Sequence, residues 1–224
     1  MSGRNCKKIL ILGATGQTGI LTVQTALEHN HIVTIYARNP SKLPTNIAHH
    51  PNIKIIRGDL TDAEALSKAV EGQDAIVSLL GPTGNVTGTP FTDAYHLIFS
   101  LMKRWGVKRI LAMGTASIPD EQDGFSIVAF LGVTLIRIIV NSAYKDIVSV
   151  GKLFNTEATN DGLDWTIFRL GFLANGAPQS SKAGYVGKNG WVLKNQRADI
   201  ATWLVDEVEK DNSEWIKKMP AIWS

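Results

Sequence analysis

Three glycines spaced three apart, Gly13, Gly16 and Gly19, carry the first chemistry legible in this chain. They stand in the run K-I-L-I-L-G-A-T-G-Q-T-G. An apolar stretch at 9–12 leads into the glycines, and a helical pattern (Ile20, Val23, Leu27) leads out. Strand, glycine turn and helix N-terminus together aim backbone N–H groups at a phosphate. Gly13 permits the tight turn, Gly16 lets the backbone approach a pyrophosphate, and Gly19 lets the helix pack close to the sheet. Thr15, Gln17 and Thr18 add short polar side chains beside the phosphates. The spacing is G-x-x-G-x-x-G, not the G-x-G-x-x-G of dehydrogenases with a separate catalytic domain.

The end of the second apolar run selects among dinucleotides. An NAD site places Asp or Glu there to accept from the ribose 2′-hydroxyl. Here the sequence reads Tyr36-Ala37-Arg38-Asn39, with no acid. A guanidinium at Arg38 pairs with a 2′-phosphate in bidentate fashion, and Lys42 adds charge, so the expected cofactor is NADP(H). Asp59, in Gly58-Asp59-Leu60, can accept from an adenine amino group or cap the turn before Thr61.

These residues need elements to hold them. Strands are expected at 9–12, 32–37, 53–57, 75–80, 109–113 and 165–170, with a short one near 219–222. Helices are expected at 16–29, 62–70, 91–105, 144–160 and 197–210. Thr61 with Glu64 reads as a capping box opening 62–70. Residues 81–90 form a glycine-rich loop, 118–124 a polar loop and 175–189 a Gly/Ser/Lys loop. The strands are continuous apolar runs, the pattern of a parallel sheet covered on both faces. The fold class is therefore α/β, a doubly wound parallel sheet of the Rossmann type. One domain is expected over 1–224, with a small C-terminal substrate region mainly at 115–190.

Composition excludes other classes. The chain has 224 residues, 44% hydrophobic, with 23 basic and 20 acidic residues and a net charge of +3. That balance is too mild and too mixed to argue for nucleic acid or an anionic membrane. Cys6 alone excludes an intramolecular disulfide and a thiolate metal cluster. His29, His31, His49 and His50 show no metal-ligand spacing with carboxylates and read as surface residues, so no metal is expected. Residues 125–140 are apolar, but Arg137 interrupts them and a span needs ~20 residues. They read as a buried helix or an apolar pocket wall, with no transmembrane segment. The short apolar stretch at 9–12 is no signal-peptide core, so the expected setting is reducing and cytoplasmic.

Together the turn G-A-T-G-Q-T-G, the loop Y-A-R-N-P-S-K-L, G-D-L-T-D, A-V-E-G-Q-D-A-I-V-S-L-L-G-P, G-L-D-W-T-I-F-R and R-A-D-I-A resemble the atypical short-chain dehydrogenases. The likeness is to the NmrA-like group that includes the biliverdin-IXβ/flavin reductases, and it covers nearly the whole chain. It implies that Gly13, Thr15, Gly16, Gln17, Thr18 and Gly19 hold the pyrophosphate. It puts Arg38 at the 2′-phosphate, Asp59 and Leu60 at the adenine, and Leu80 and Gly81 beside the nicotinamide ribose. The Tyr-x-x-x-Lys pair of ordinary members is absent, because Val148 follows Tyr144 four places on. Thr115 stands where the flavin-reductase branch has a Ser, Asn155 where it has a His, and Arg169-Leu170 where the family has Arg-Pro.

The expected function is an NADPH-dependent oxidoreductase acting on a conjugated, largely apolar small molecule of flavin, quinone or enone type. Thr115 and Tyr144 are its candidate catalytic residues. Two alternatives stay open: a non-catalytic NADP(H)-binding regulator, and an isomerase or cyclase without net redox.

Overall fold

Alternate residues of β1 (Lys8–Leu12) enter different cores, which is what a strand with period two must do when both faces are covered. Leu10 and Leu12 join one cluster, Ile9 and Ile11 the other, and all four are buried. The computed structural model describes residues 5–224 apart from 83 and 85. Strands follow at β2 (Ile32–Ala37), β3 (Ile53–Arg57), β4 (Ala75–Ser78), β5 (Arg109–Thr115), β6 (Asp164–Leu170), β7 (Phe172–Ala174), β8 (Lys182–Gly184), β9 (Lys194–Gln196) and β10 (Ala221–Trp223). Helices are α1 (Gln17–Glu28), α2 (Thr45–Ala48), α3 (Ala63–Val70), α4 (Pro90–Trp105), α5 (Ile127–Ile139), α6 (Asn141–Leu153) and α7 (Arg197–Glu209).

The main sheet runs β3-β2-β1-β4-β5-β6-β10-β8, parallel except for β8, which pairs antiparallel with β10. β7 and β9 form a separate two-stranded ribbon. Helices α3, α4 and α6 supply the core on one face; α1 and α7, with Ile47 of α2, supply it on the other. Strand order reverses at β1, between β2 and β4, and the crevice beyond such a switch point is where this sheet type binds ligands.

Several local expectations are corrected. Asp62, not Thr61, caps α3, accepting from the Ala65 N–H at 3.0 Å; Thr61 instead donates to the Asp59 carboxylate. The helix expected at 144–160 begins at Asn141 and turns π-helical over Phe154–Ala158. There Phe154 is buried edge-on against Tyr95, Phe99 and Trp165, with ring centroids 5.0, 4.9 and 5.7 Å away. Helix α5 is not buried: of its residues, only Ala129 is.

Helix α4 is capped from outside its own sequence. Thr89 makes no capping bond. Asp146, buried on α6, accepts from the N–H groups of Phe91 and Thr92 at 2.9 and 3.0 Å and from the Thr92 hydroxyl at 2.7 Å. A carboxylate at a helix N-terminus satisfies orphan donors and favours the dipole, which locks α6 to the start of α4.

The histidines are also not all surface groups. His31 is fully buried, and His29 and His31 converge on Glu209 at 2.9 and 3.1 Å. This two-histidine, one-carboxylate cluster has the make-up of a metal site. Hydrogen bonding assigns it otherwise. The Lys7 N–H donates to His31 Nδ1 at 3.2 Å, so Nε2 carries the proton and donates it to Glu209. No lone pair on His31 is left for an ion, and the cluster ties the α1–β2 turn to the end of α7.

Burial holds the His31 imidazole below its ordinary value of 6.5, against the opposing pull of Glu209. The unfolded chain takes up that proton near pH 6.5 and the folded chain only at lower pH. The contribution is whole above about 6.5 and is lost as pH falls through the folded value. The unfolding midpoint is therefore expected to drop between about pH 7 and pH 5.5. In His31→Asn that slope flattens, whatever the variant loses in absolute stability.

Candidate active site

The turn after β1 is built by two close approaches. Gly13 has φ +77°, and a Cβ there would lie 2.7 Å from the Leu79 carbonyl oxygen. A Cβ on Gly19 would overlap the Gly13 carbonyl oxygen and the Ala14 backbone. Glycine at both positions lets α1 start directly against the turn. Gly16, at the N-cap, has open space: a Cβ would meet only the Gly13 carbonyl oxygen, at 3.4 Å. No side chain caps α1 and no acid stands in its first turn, so its leading N–H groups stay available to an anion. Gln17 is exposed at that terminus, while Thr18 is buried beneath it.

A cavity of about 730 Å³ opens from this turn along the carboxyl ends of β1 to β4. Gly13, Thr15, Arg38, Asp59, Leu60, Leu80 and Gly81 all line it, so residues far apart in the chain meet in one groove. The Tyr36 hydroxyl donates to the Asp59 carbonyl oxygen at 2.5 Å, joining the ends of β2 and β3. Burial, with help from Asp62 and Asp59, pushes the Tyr36 phenol up to about 12, so it remains a donor at neutral pH. The Asp59 carboxylate accepts from the Thr61 N–H and hydroxyl, both at 3.2 Å, which is the turn-capping role. Arg38 is exposed on the wall and makes no ion pair among the described residues. Lys42 is exposed in the short 3₁₀ turn Pro40–Lys42 and is not part of the wall. The opposite wall comes from Gly84, 86–89 and the first turns of α4, including Phe91 and Leu97. The sequence marked that stretch only as a glycine-rich loop; residues 83 and 85 lie outside the described part.

A second cavity, of about 410 Å³, lies at the carboxyl ends of β5 and β6. Its floor is Thr115, Ala116 and Ser117 on one side and Leu170, Gly171 and Phe172 on the other. Helix α5 closes it with Ala129, Gly132, Val133 and Ile136. The Ser117 N–H donates to the Thr115 hydroxyl oxygen at 3.2 Å, which leaves the Thr115 proton for a ligand. Strand β5 lies beside β4, and Gly81 packs against Met113 so closely that a Cβ would overlap its methyl group. The two cavities are therefore one strand apart.

A model of the family described as NAD(P)H-binding matches residues 13–211. The chain belongs to that NAD(P)H-binding family. An isoflavone reductase homolog from Nicotiana tabacum is 26% identical over 210 residues, 90% of this chain and 64% of the relative. The chain spans less than two thirds of the length of the curated relatives it matches. Among solved structures, a short-chain dehydrogenase/reductase from Veillonella parvula in complex with NADP superimposes with a TM-score of 0.79. It is 18% identical, with 97% and 94% of the two chains covered. ChuY, an anaerobillin reductase from Escherichia coli O157:H7, gives 0.69 at 18% identity, with 96% of each chain covered. These structural likenesses establish the Rossmann fold, and the family assigns NAD(P)H as the cofactor. The uncapped α1 terminus, the open space at Gly16 and the length of the groove fit such a dinucleotide.

Two polar residues of this NAD(P)H-binding chain fall outside both cavities. Tyr144 is half-buried on α6 with the Arg137 guanidinium 6.0 Å above its ring, and it lines neither. Asn155 is exposed on the π-helical turn and lines neither. Ser117, not singled out from the sequence, is buried in the floor of the second cavity beside Thr115.

Arg169, at the end of β6, holds the second cavity in shape. Its buried guanidinium forms a bidentate pair with Asp123 at 2.6 and 2.7 Å. It also donates to the Ile118 and Met219 carbonyl oxygens at 2.9 and 2.7 Å. Asp123 in turn accepts from the Val186 N–H at 3.0 Å. Asp123→Ala leaves a buried, unpaired cation and is expected to cost about 3–5 kcal/mol. Denaturant unfolding monitored by tryptophan fluorescence reads that loss as a lower midpoint at unchanged slope.

Proposed function

We propose that this protein is an NADPH-dependent reductase of a flat, conjugated, largely apolar small molecule. The observation that carries the reading is the second cavity. It is lined almost wholly by apolar side chains, offers two hydroxyls at one end, and sits one strand from Leu80 and Gly81, the residues proposed to flank the nicotinamide. Its volume falls within the range of about 300–1,000 Å³ of small-molecule sites. The family membership and the reductase names among the relatives support the same class of chemistry.

Bound NADPH supplies a hydride. The chain's own part is to orient the acceptor between α5 and the β5–β6 floor, exclude water with apolar walls, and hydrogen-bond the acceptor's oxygen or nitrogen through Thr115. Among the described residues no carboxylate lines the second cavity, and the Tyr-x-x-x-Lys pair is missing from the sequence. A conjugated acceptor suits such a site because it disperses its own developing charge, and water can deliver the proton. Residues mainly from 115 to 190 form the substrate region of the single domain.

Arg38 is the proposed partner of the 2′-phosphate. Arg38→Ala is expected to weaken NADPH binding about 10-fold or more while leaving NADH affinity nearly unchanged, since a lost charged hydrogen-bond partner costs roughly 1.5–3 kcal/mol. Cofactor fluorescence titration measures both; equal loss for the two cofactors would move the phosphate contact elsewhere.

NADPH consumption with a panel of flavins, quinones and enones tests the activity. At least one acceptor should be reduced, and Thr115→Val should slow it by roughly 10-fold, the worth of one hydrogen bond to developing charge. Tyr144→Phe should leave the rate within about 2-fold, as expected for a side chain away from the reacting atoms. A panel that is inert despite NADPH binding would exclude the reductase reading.

A further inference from the structure

Helix α5 is the anomaly of this surface. Phe125 is 85%, Ile138 73% and Phe172 72% exposed, and Ile127, Phe130, Leu131 and Ile139 are exposed with them. A contiguous apolar surface of this kind marks a contact site. Leu135, Ile136, Ile139 and Phe172 line the second cavity and are exposed at the same time, so the cavity's rim belongs to this apolar surface.

Charge around the patch is segregated. Segments 124–145 and 171–198, which build it, contain Arg137, Lys145, Lys182, Lys188, Lys194 and Arg197 and no carboxylate. Of the flanking acids, Asp146 is buried on the α4 amides, Asp123 is paired with Arg169 and Asp199 is buried, while Asp120 and Glu121 lie in the loop that leads into the patch. Lys188 adjoins the start of α5: a Cβ on Gly124 would lie 3.1 Å from its side chain. Lys194 pairs in register with Phe172. The whole-chain charge of +3 hides this, because most of the carboxylates lie elsewhere.

We propose that this face seats the protein on an anionic lipid bilayer, with α5 lying in the headgroup plane. Apolar side chains ringed by Lys and Arg are the make-up of an interfacial helix. The helix lies on the bilayer rather than through it: no single helix among the described residues can cross, and α5 meets the following helical segment at 119°. A second copy of the chain is the poorer occupant, since a two-fold contact would set cations against cations. Resting on the reductase reading, the second cavity then opens toward the lipid phase, and its acceptor is a membrane-dissolved, long-tailed conjugated compound.

The test is flotation of the full chain with phosphatidylcholine vesicles, with and without phosphatidylglycerol. Binding is expected only with the anionic lipid. The double variants Phe125→Ser/Ile138→Ser and Lys188→Glu/Lys194→Glu should each reduce it about 10-fold or more, with NADPH affinity unchanged. Absence of flotation, or flotation indifferent to phosphatidylglycerol, overturns the proposal. So does a lipid-free dimer, seen by light scattering, that Phe125→Ser/Ile138→Ser dissolves. In the second arm, vesicle-borne long-tailed quinone should be reduced more slowly by both variants, and a short water-soluble quinone at the wild-type rate. Equal rates overturn the lipid-borne acceptor. If neither quinone is reduced, the reductase reading falls together with the lipid-borne acceptor, while flotation still decides the docking surface.

Discussion

The buried guanidinium of Arg169 organises the half of the molecule that surrounds the second cavity. One side chain at the end of β6 satisfies the carbonyl oxygens of Ile118 and Met219 and pairs with Asp123, which itself receives the Val186 N–H. Three segments distant in sequence, the 118–124 loop, Val186 and Met219, are thereby tied to one strand end. Desolvating a guanidinium is expensive, and only a nearly complete set of acceptors offsets it. That requirement specifies where the 118–124 loop must lie, and so where α5 must begin. The cavity between α5 and the β5–β6 floor follows from it.

The cofactor half rests on a different constraint, the closeness of backbone to backbone. Gly13 and Gly19 let the β1 turn, the Leu79 carbonyl and α1 occupy space that any side chain would fill. Among the described residues, no charged side chain hydrogen-bonds to this turn. Its stability comes from the packed strands beneath it and from α1 and α7 on one face. The His29–His31–Glu209 cluster clamps the far end of the same pair of elements. The clamped end and the uncapped N-terminal end of α1 are thus set by separate interactions. A ligand at the turn does not have to assemble the helix that receives it.

Much of the first cavity was legible because its signals are local. Strand periodicity, a glycine turn and the missing acid after β2 sit within a few residues of one another. The structure brings Gly13, Arg38, Asp59 and Gly81 to one groove as that pattern implies. Asp146 was not legible, because it caps α4 through the N–H of Phe91, 55 residues earlier in the chain. Nor was Asp123: a polar loop gives no hint that its last acid faces a buried arginine. The histidines misled for the same reason, since Glu209 lies 178 residues from His31. Residues 125–140 were legible in part: α5 is the apolar pocket wall that one of the two readings expected, not the buried helix of the other, because the fold supplies only one neighbouring face and leaves its other side in solvent.

By itself, the sequence determined the parallel α/β fold, the glycine turn after β1 and the strand ends that meet in the first cavity. These follow from short-range backbone preferences and from which residues must leave water. Tertiary structure alone decided the second cavity, the trans cap on α4, the histidine clamp and the cationic, apolar face around α5. Each joins side chains whose separation along the chain is long. Their energies depend on burial and on partners that exist only after the sheet has closed.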